Sequence, residues 1–253
     1  MIENSYIFYK GNSRITGRPI VGILTGLAAA SRNGKTGEMY QTYIFADNGR
    51  HPLDNVRSGA DRDICGECPR RPLLIETGES DLSTPCYLKK EMGRAIHAVW
   101  ARYASGKTKA IRTKDLEYLL RFYGRPLRIS AYGDPTAIPV KVWQRLIAAS
   151  KAHTGYTQFW KQSKNRTYKD FLQASVHTKA SQADAADLGW STFRADDHIT
   201  DQDLATSTGR RSHLAKGEIP CPHPLTKGRD RPPITCATCL KCNGSKSVAI
   251  AAH

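Results

Sequence analysis

The chemistry in this chain is concentrated in its cysteines. Cys236-Ala-Thr-Cys239-Leu-Lys-Cys242 places three thiols at i, i+3 and i+6, and Cys221, followed by Pro222, supplies a remote fourth. On a turning loop this spacing can aim four thiolates at one centre. Closely spaced Cys-x2-Cys-x2-Cys with a distant Cys-Pro is a ligation pattern of iron–sulfur clusters. Zinc more often takes two separated Cys-x2-Cys pairs or mixed Cys/His sets. The spacing therefore favours a [4Fe-4S] cluster over zinc, with zinc as the alternative metal and His223 as an alternative ligand.

A second group, Cys65, Cys68 and Cys86, reads Cys-Gly-Glu-Cys-Pro, a gap of seventeen residues, then Cys-Tyr. If it holds zinc, a fourth ligand must come from Cys221, His97 or Asp63. If it holds a [4Fe-4S] cluster, one iron stays open to a substrate or cofactor. The total of seven cysteines is odd, which excludes a fully paired disulfide framework. The chain opens Met-Ile-Glu-Asn-Ser-Tyr, without a basic stretch and an apolar run, so no secretory signal is expected. No apolar run of about 18 residues offers a membrane span. The expected compartment is the reducing cytosol, where clustered cysteines usually mean metal.

The charge is lopsided, 38 Lys+Arg against 23 Asp+Glu, a formal +15. Nucleic acid or an anionic small molecule is the partner class this favours. From Lys89 to Arg128 there are eleven basic and three acidic residues, net +8. Lys89, Lys90, Arg94, Arg102, Lys107, Lys109, Arg112 and Lys114 are the candidate nucleic-acid-binding residues. Tyr103, Tyr118, Phe122 and Tyr123 are interleaved with them, as stacking on bases requires. The competing reading, which we favour, makes Leu119, Leu120 and Phe122 the buried stripe of an amphipathic helix.

The elements that must position these groups follow from periodicity. Residues 5–9, 19–24 and 39–45 are β-branched and aromatic runs between turn residues and are expected to be strands. Ser31–Gly37 lacks the phosphate-loop spacing and reads as a hairpin connection. Residues 48–87 form a long polar loop around the first cysteine group; such loops are usually functional or metal-clamped. Helices are expected over 88–104 and 114–123. From 127 onward, strands at 127–132, 155–160, 172–177 and 189–194 alternate with helical segments at 140–152, 168–172 and 181–188. That alternation implies parallel βα units. The fold class is therefore α/β. It divides into an N-terminal β section (1–50), a cysteine loop with a partial or full (βα) barrel-like core (51–200), and a Cys-rich metal-bound tail (201–253). Residues 245–253 are expected to be loose.

A three-cysteine loop, then a strand ending Tyr132-Gly133-Asp134-Pro135, further βα units and a closing cysteine cluster resemble a radical-SAM barrel with an auxiliary cluster domain. The resemblance implies S-adenosylmethionine at the strand ends. Asp134 would receive its amino group, Gly133 would allow close backbone approach, Ser175 would face it and Arg194 would clamp its carboxylate. His177 would serve as general acid/base or ligand, with Gln158 nearby. Two features depart from that pattern: the third cysteine is remote, and Asp134 stands where Glu is usual. The chain is also similar to a group of uncharacterised bacteriophage proteins. It shares their Cys-x2-Cys-Pro, Cys-Tyr, Ala-Tyr-Gly-Asp-Pro, Gly-Tyr-Thr-x-x-Trp, Gly-Trp-x-Thr-Phe-Arg and Thr-Cys-x-x-Cys-x-x-Cys motifs, across residues 55–244. That likeness implies a host-cytosol location and no particular activity. Tyr156, Trp160 and Trp190 read as packing residues. Two functions remain in view: an iron–sulfur, radical-SAM-like enzyme on an anionic or nucleic-acid-related substrate, and a non-catalytic, zinc-stapled nucleic-acid-binding protein.

Overall fold

The structure is a computed structural model in which residues 2–31, 33–71, 93–226 and 232–251 are described. It is a mixed α/β fold of two units interleaved in sequence. The first comprises 1–29, 40–124 and 129–150; the second comprises 30–39, 125–128 and 151–253.

In the first unit, β1 (Ser5–Asn12), β2 (Pro19–Thr25) and β3 (Tyr40–Ala46) form an antiparallel meander. β2 and β3 are buried along nearly their whole length, which explains their continuous apolar runs. The short helices α1 (Pro52–Arg57) and α2 (Arg62–Cys65) follow, then α3 (Gly93–Ala104). The two-residue β4 (Lys109–Ala110) pairs in parallel with β1, and α4 (Thr113–Tyr123) leads into β5 (Leu127–Tyr132). A 3-10 turn over Pro135–Ala137 precedes α5 (Val140–Ala149). The strand order is β4-β1-β2-β3-β5. Ile20, Ile23, Leu24, Ile44, Leu116, Leu120 and Trp143 fill the core. Two buried polar tips are satisfied: Tyr40 Oη donates to the Leu120 carbonyl at 3.0 Å and Trp143 Nε1 to the Pro135 carbonyl at 2.8 Å.

The first two residues of β5, Leu127 and Arg128, belong to the second unit and pair in parallel with β6 (His153–Thr154). After Gly155 comes β7 (Tyr156–Thr157), then a 3-10 segment (Ser163–Tyr168), β8 (Gln173–Val176), α6 (Lys179–Asp187) and β9 (Thr192–Asp196). Next are α7 (Asp201–Ala205), α8 (Ser207–His213), β10 (Glu218–Pro220), α9 (Pro222–Thr226), α10 (Cys236–Cys239) and β11 (Ser247–Ala251). The sheet order is β10-β11-β9-β8-β7, with every pair parallel.

The described strands thus lie in open sheets, and no closed barrel forms among them. Two further expectations are corrected. Residues 155–160 are strand only at Tyr156–Thr157, because Trp160 turns in and its Nε1 donates to the Ser175 carbonyl at 3.2 Å. Residues 247–251 are not loose: β11 runs between β9 and β10 with Val248 through Ala251 buried. Residues 201–253 accordingly belong to the second unit and do not stand alone. No helix among the described residues is long and apolar enough to cross a membrane.

Candidate metal centre

The four C-terminal cysteines are held by backbone hydrogen bonds within the second unit. Cys221 N–H donates to the Ala249 carbonyl of β11 at 2.8 Å. The Cys242 carbonyl accepts from Gly155 N–H at 2.9 Å, just before β7. At the start of α10, Cys236 N–H donates to the Lys35 carbonyl at 3.0 Å and Ala237 N–H to the Thr36 carbonyl at 2.9 Å. Gly37 makes that approach possible: its φ is +70°, and a Cβ there would lie 2.6 Å from Thr235 Oγ1. The loop read only as a hairpin connection is therefore also the seat of α10. After Cys239 the chain reverses at Leu240 in the left-handed region, φ 54°, whose N–H donates to the Cys236 carbonyl at 3.1 Å.

Cys221, Cys236, Cys239 and Cys242 line one cavity of about 30 Å³, together with His223, Thr154, Leu240 and Val248. His223 Nδ1 is 2.8 Å from the Ile234 carbonyl. Burial pushes the Cys221 and Cys236 thiols above their ordinary range and Cys242 well above it. Neighbouring thiols of the set push the same way, while Lys35 opposes, joined by Arg128 at Cys236. Among the described residues no three His, Cys, Asp or Glu side chains are already arranged to hold a metal ion. None of the described cysteines is in a disulfide.

The first cysteine group lies in the first unit, and its Cys86 falls outside the described residues. Cys65 N–H donates to the Asp61 carbonyl at 2.9 Å and Cys68 N–H to the Cys65 carbonyl at 3.0 Å. A buried ion pair clamps this turn: Arg71 Nε meets Asp61 Oδ2 at 2.9 Å, and Arg71 Nη2 donates to the Gly59 carbonyl at 2.9 Å. Burial drives Asp61 up to about 6 despite the opposing Arg71 charge. The Ile64 carbonyl accepts from Asp134 N–H at 2.7 Å, so α2 meets the carboxyl end of β5. The candidate fourth ligands are Asp63, His97 and Cys221. Asp63 Oδ1 accepts from Thr16 Oγ1 at 2.8 Å, the His97 ring stacks on His51 at 4.9 Å, and Cys221 sits with the C-terminal set.

The residues assigned to a cofactor are engaged in the fold itself. Asp134 Oδ1 accepts from Thr136 N–H at 2.9 Å and Thr136 Oγ1 at 2.7 Å, capping the 3-10 turn. Gly133 has φ +80°, and a Cβ there would lie 2.8 Å from Ile44 Cβ. The close approach it permits is to β3. Ser175 Oγ accepts from Gln158 Nε2 at 2.8 Å. His177 Nδ1 is 3.2 Å from the Ala195 carbonyl. Arg194 is 0 % exposed. It meets Glu218 at 2.7 Å, pairs with Asp196, and donates to the His213 carbonyl at 2.7 Å. Its donors are met by groups of the protein itself.

Of the basic candidates, Lys89 and Lys90 lie outside the described residues. Arg102 is held by Glu3 at 2.6 Å and Ser5 at 3.2 Å, and Arg112 by a two-pronged pair with Asp115 at 2.7 and 3.1 Å. Lys109 is 4.0 Å from Glu3. Arg94, Lys107 and Lys114 are exposed. Phe122 is not part of the buried stripe of α4; it is 67 % exposed, and Leu116 and Leu120 form the stripe. The phase of those leucines carried this information, since two residues on is about 200° round a helix. No protein-family model, curated protein or solved structure matches the chain.

Proposed function

We propose that this chain is a non-catalytic, zinc-stapled nucleic-acid-binding protein of phage type, working in the host cytosol. The observation that carries the metal half is the crossover between β10 and β11. A parallel crossover is ordinarily held by the apolar face of a helix. Here α9 leans only the half-buried Leu225 on the Ile199, Leu204 and Ala251 cluster and α10 has no fully buried side chain, while four cysteines from this segment face one cavity. A single tetrahedral ion suits that donor set, with Zn–S bonds of about 2.3 Å closed by rotation of the thiol side chains. When bound, zinc would supply a fixed positive centre that keeps the thiols ionised and orders the crossover. The net charge of +15 supports the nucleic-acid half.

One observation favours the radical-SAM-like reading: the Cys65–Cys68 segment reaches the end of β5 through the Ile64–Asp134 hydrogen bond. Against it, Asp134, Gly133 and Arg194 already serve the fold. Metal analysis of anaerobically purified protein separates the two. Colourless protein whose zinc is lost in Cys239→Ser is expected. Brown protein with iron and absorbance near about 400 nm would overturn the zinc reading.

A further inference from the structure

Helix α4 turns two aromatic rings toward solvent. Tyr118 and Phe122 are 64 % and 67 % exposed, whereas the other exposed large hydrophobic residues among those described reach 40 % at most. The helix is anchored by its opposite face, through buried Leu116 and Leu120 and the Tyr40 hydrogen bond to the Leu120 carbonyl. The rings therefore contribute little to holding it. They lie 6.2 Å apart with planes inclined by 23°, and Tyr123 meets Phe122 edge-on at 5.1 Å.

Lys114, Tyr118 and Phe122 stand at i, i+4 and i+8 and so form one row along the helix, with Arg121 beside it. Lys114 and Arg121 are exposed. The nearby carboxylates are neutralised locally: Asp115 by Arg112, and Glu117 by Arg145 at 2.8 Å and Arg121 at 4.0 Å. A row of exposed rings flanked by cations offers π-faces and a positive field together. In a duplex the base faces are already stacked on each other, so side-chain rings can stack only on bases of a single strand.

We propose that the Lys114–Tyr118–Arg121–Phe122 face of α4 is a stacking platform for single-stranded nucleic acid. This rests on the nucleic-acid half of the function proposed above and adds the strand form and the site. The test is a fluorescence-anisotropy titration of the full chain with a labelled oligothymidylate and a labelled duplex of equal length, at two salt concentrations. Tighter binding of the single strand is expected. Tyr118→Ala with Phe122→Ala should weaken it by about thirtyfold or more, taking the low end of about 1 kcal/mol per stacked base. The salt slope should stay unchanged, because no phosphate contact is removed. Phe122→Trp should retain binding. Both rings are exposed, so the variants should fold, which circular dichroism checks. Equal binding of duplex and single strand, or single-strand binding indifferent to loss of both rings, overturns the platform while leaving nucleic-acid binding intact. Binding of neither oligonucleotide overturns the underlying reading as well. Self-association abolished by the double variant, with oligonucleotide binding unchanged, would assign the face to a second copy of the chain and refute the proposal.

Discussion

Replacing Arg194 tests whether this residue serves the fold or a ligand. Its guanidinium is fully buried between Glu218, itself 0 % exposed in its side chain, and Asp196. Arg194→Ala removes the cation and leaves two carboxylates behind. Each keeps one backbone donor, Ala215 N–H on Glu218 at 2.8 Å and His198 N–H on Asp196 at 2.9 Å, so the anions stay in place without a counter-charge. Breaking one side of a buried pair costs about 3–5 kcal/mol. At about 2–4 °C per kcal/mol for a chain of this size, the melting temperature should fall by roughly 6–20 °C. Arg194→Lys keeps the charge but not the fork that reaches Glu218, Asp196 and the His213 carbonyl together, so it should lie between. Arg194→Met combined with Glu218→Gln should be milder than Arg194→Ala, because less uncompensated charge remains. Thermal melts followed by circular dichroism measure all three. An Arg194→Ala protein that melts within about 2 °C of the parent would refute this account and return Arg194 to the role of ligand clamp.

Gly133→Ala should cost roughly 2–4 kcal/mol, combining left-handed strain with overpacking against Ile44, and urea unfolding reads it; a loss under about 0.5 kcal/mol would refute the β3 contact as its reason. Asp61 has a folded pKa of about 6, above its ordinary 3.8, so the fold holds that proton more tightly than the open chain does. Its stabilising contribution is therefore full below about pH 4, is lost as pH rises to about 6, and is flat above, a change of up to about 3 kcal/mol. Asp61→Asn should remove that slope in unfolding midpoints taken at pH 4, 5, 6 and 7, and an identical slope in the variant would refute the assignment. Cys239→Ser, or chelation, should expose residues 221–246 to limited proteolysis while the first unit keeps its melting transition; an unchanged cleavage pattern would argue against a metal staple.

How much was legible in the sequence differed by physical cause. The strands of the first unit were legible because β2 and β3 are apolar along their length, and burial of both faces demands that. α5 was legible because Trp143, Leu146 and Ile147 stand at helical spacing, and the first two are buried while Ile147 is half-buried. β10 and β11 were missed because three- and five-residue strands carry no periodicity, and β11 pairs with β9, far back along the chain, while β10 pairs only with β11. α6 begins earlier than expected because Thr178 and Ser181 form a reciprocal cap ahead of the alanines. At the site, cysteine spacing singled out the four cysteines that line one cavity. The roles of Gly133, Asp134 and Arg194 were not legible: a glycine required by a ligand and one required by Ile44 look alike in sequence, as do a buried arginine and an exposed one.

The placement of the cysteines also explains why the sheet can end as it does. β10 and β11 are parallel neighbours, so the chain must travel the length of the strands and return between them. After β8 that return is made by α6, which buries Gln182 and Ala185. After β10 the described return has only two one-turn helices, of which α9 leans the half-buried Leu225 on Ile199, Leu204 and Ala251, and helices so short do not hold themselves. The rest of their order comes from the Lys35–Thr36 seat of α10 and from the ends of the crossover, which are cysteines tied to strands: Cys221 to β11 through Ala249, and Cys242 to the start of β7 through Gly155. Drawing the four thiols onto one ion would pin both ends of the crossover and the turn between them, doing for this connection what the buried Gln182 and Ala185 do for α6. The metal and β11 are then parts of one structural solution, so loss of the ion should loosen β11 from β9 before it disturbs β8, an order that hydrogen exchange at Ala249 and Ile250 against Ala174 and Ser175 would read directly.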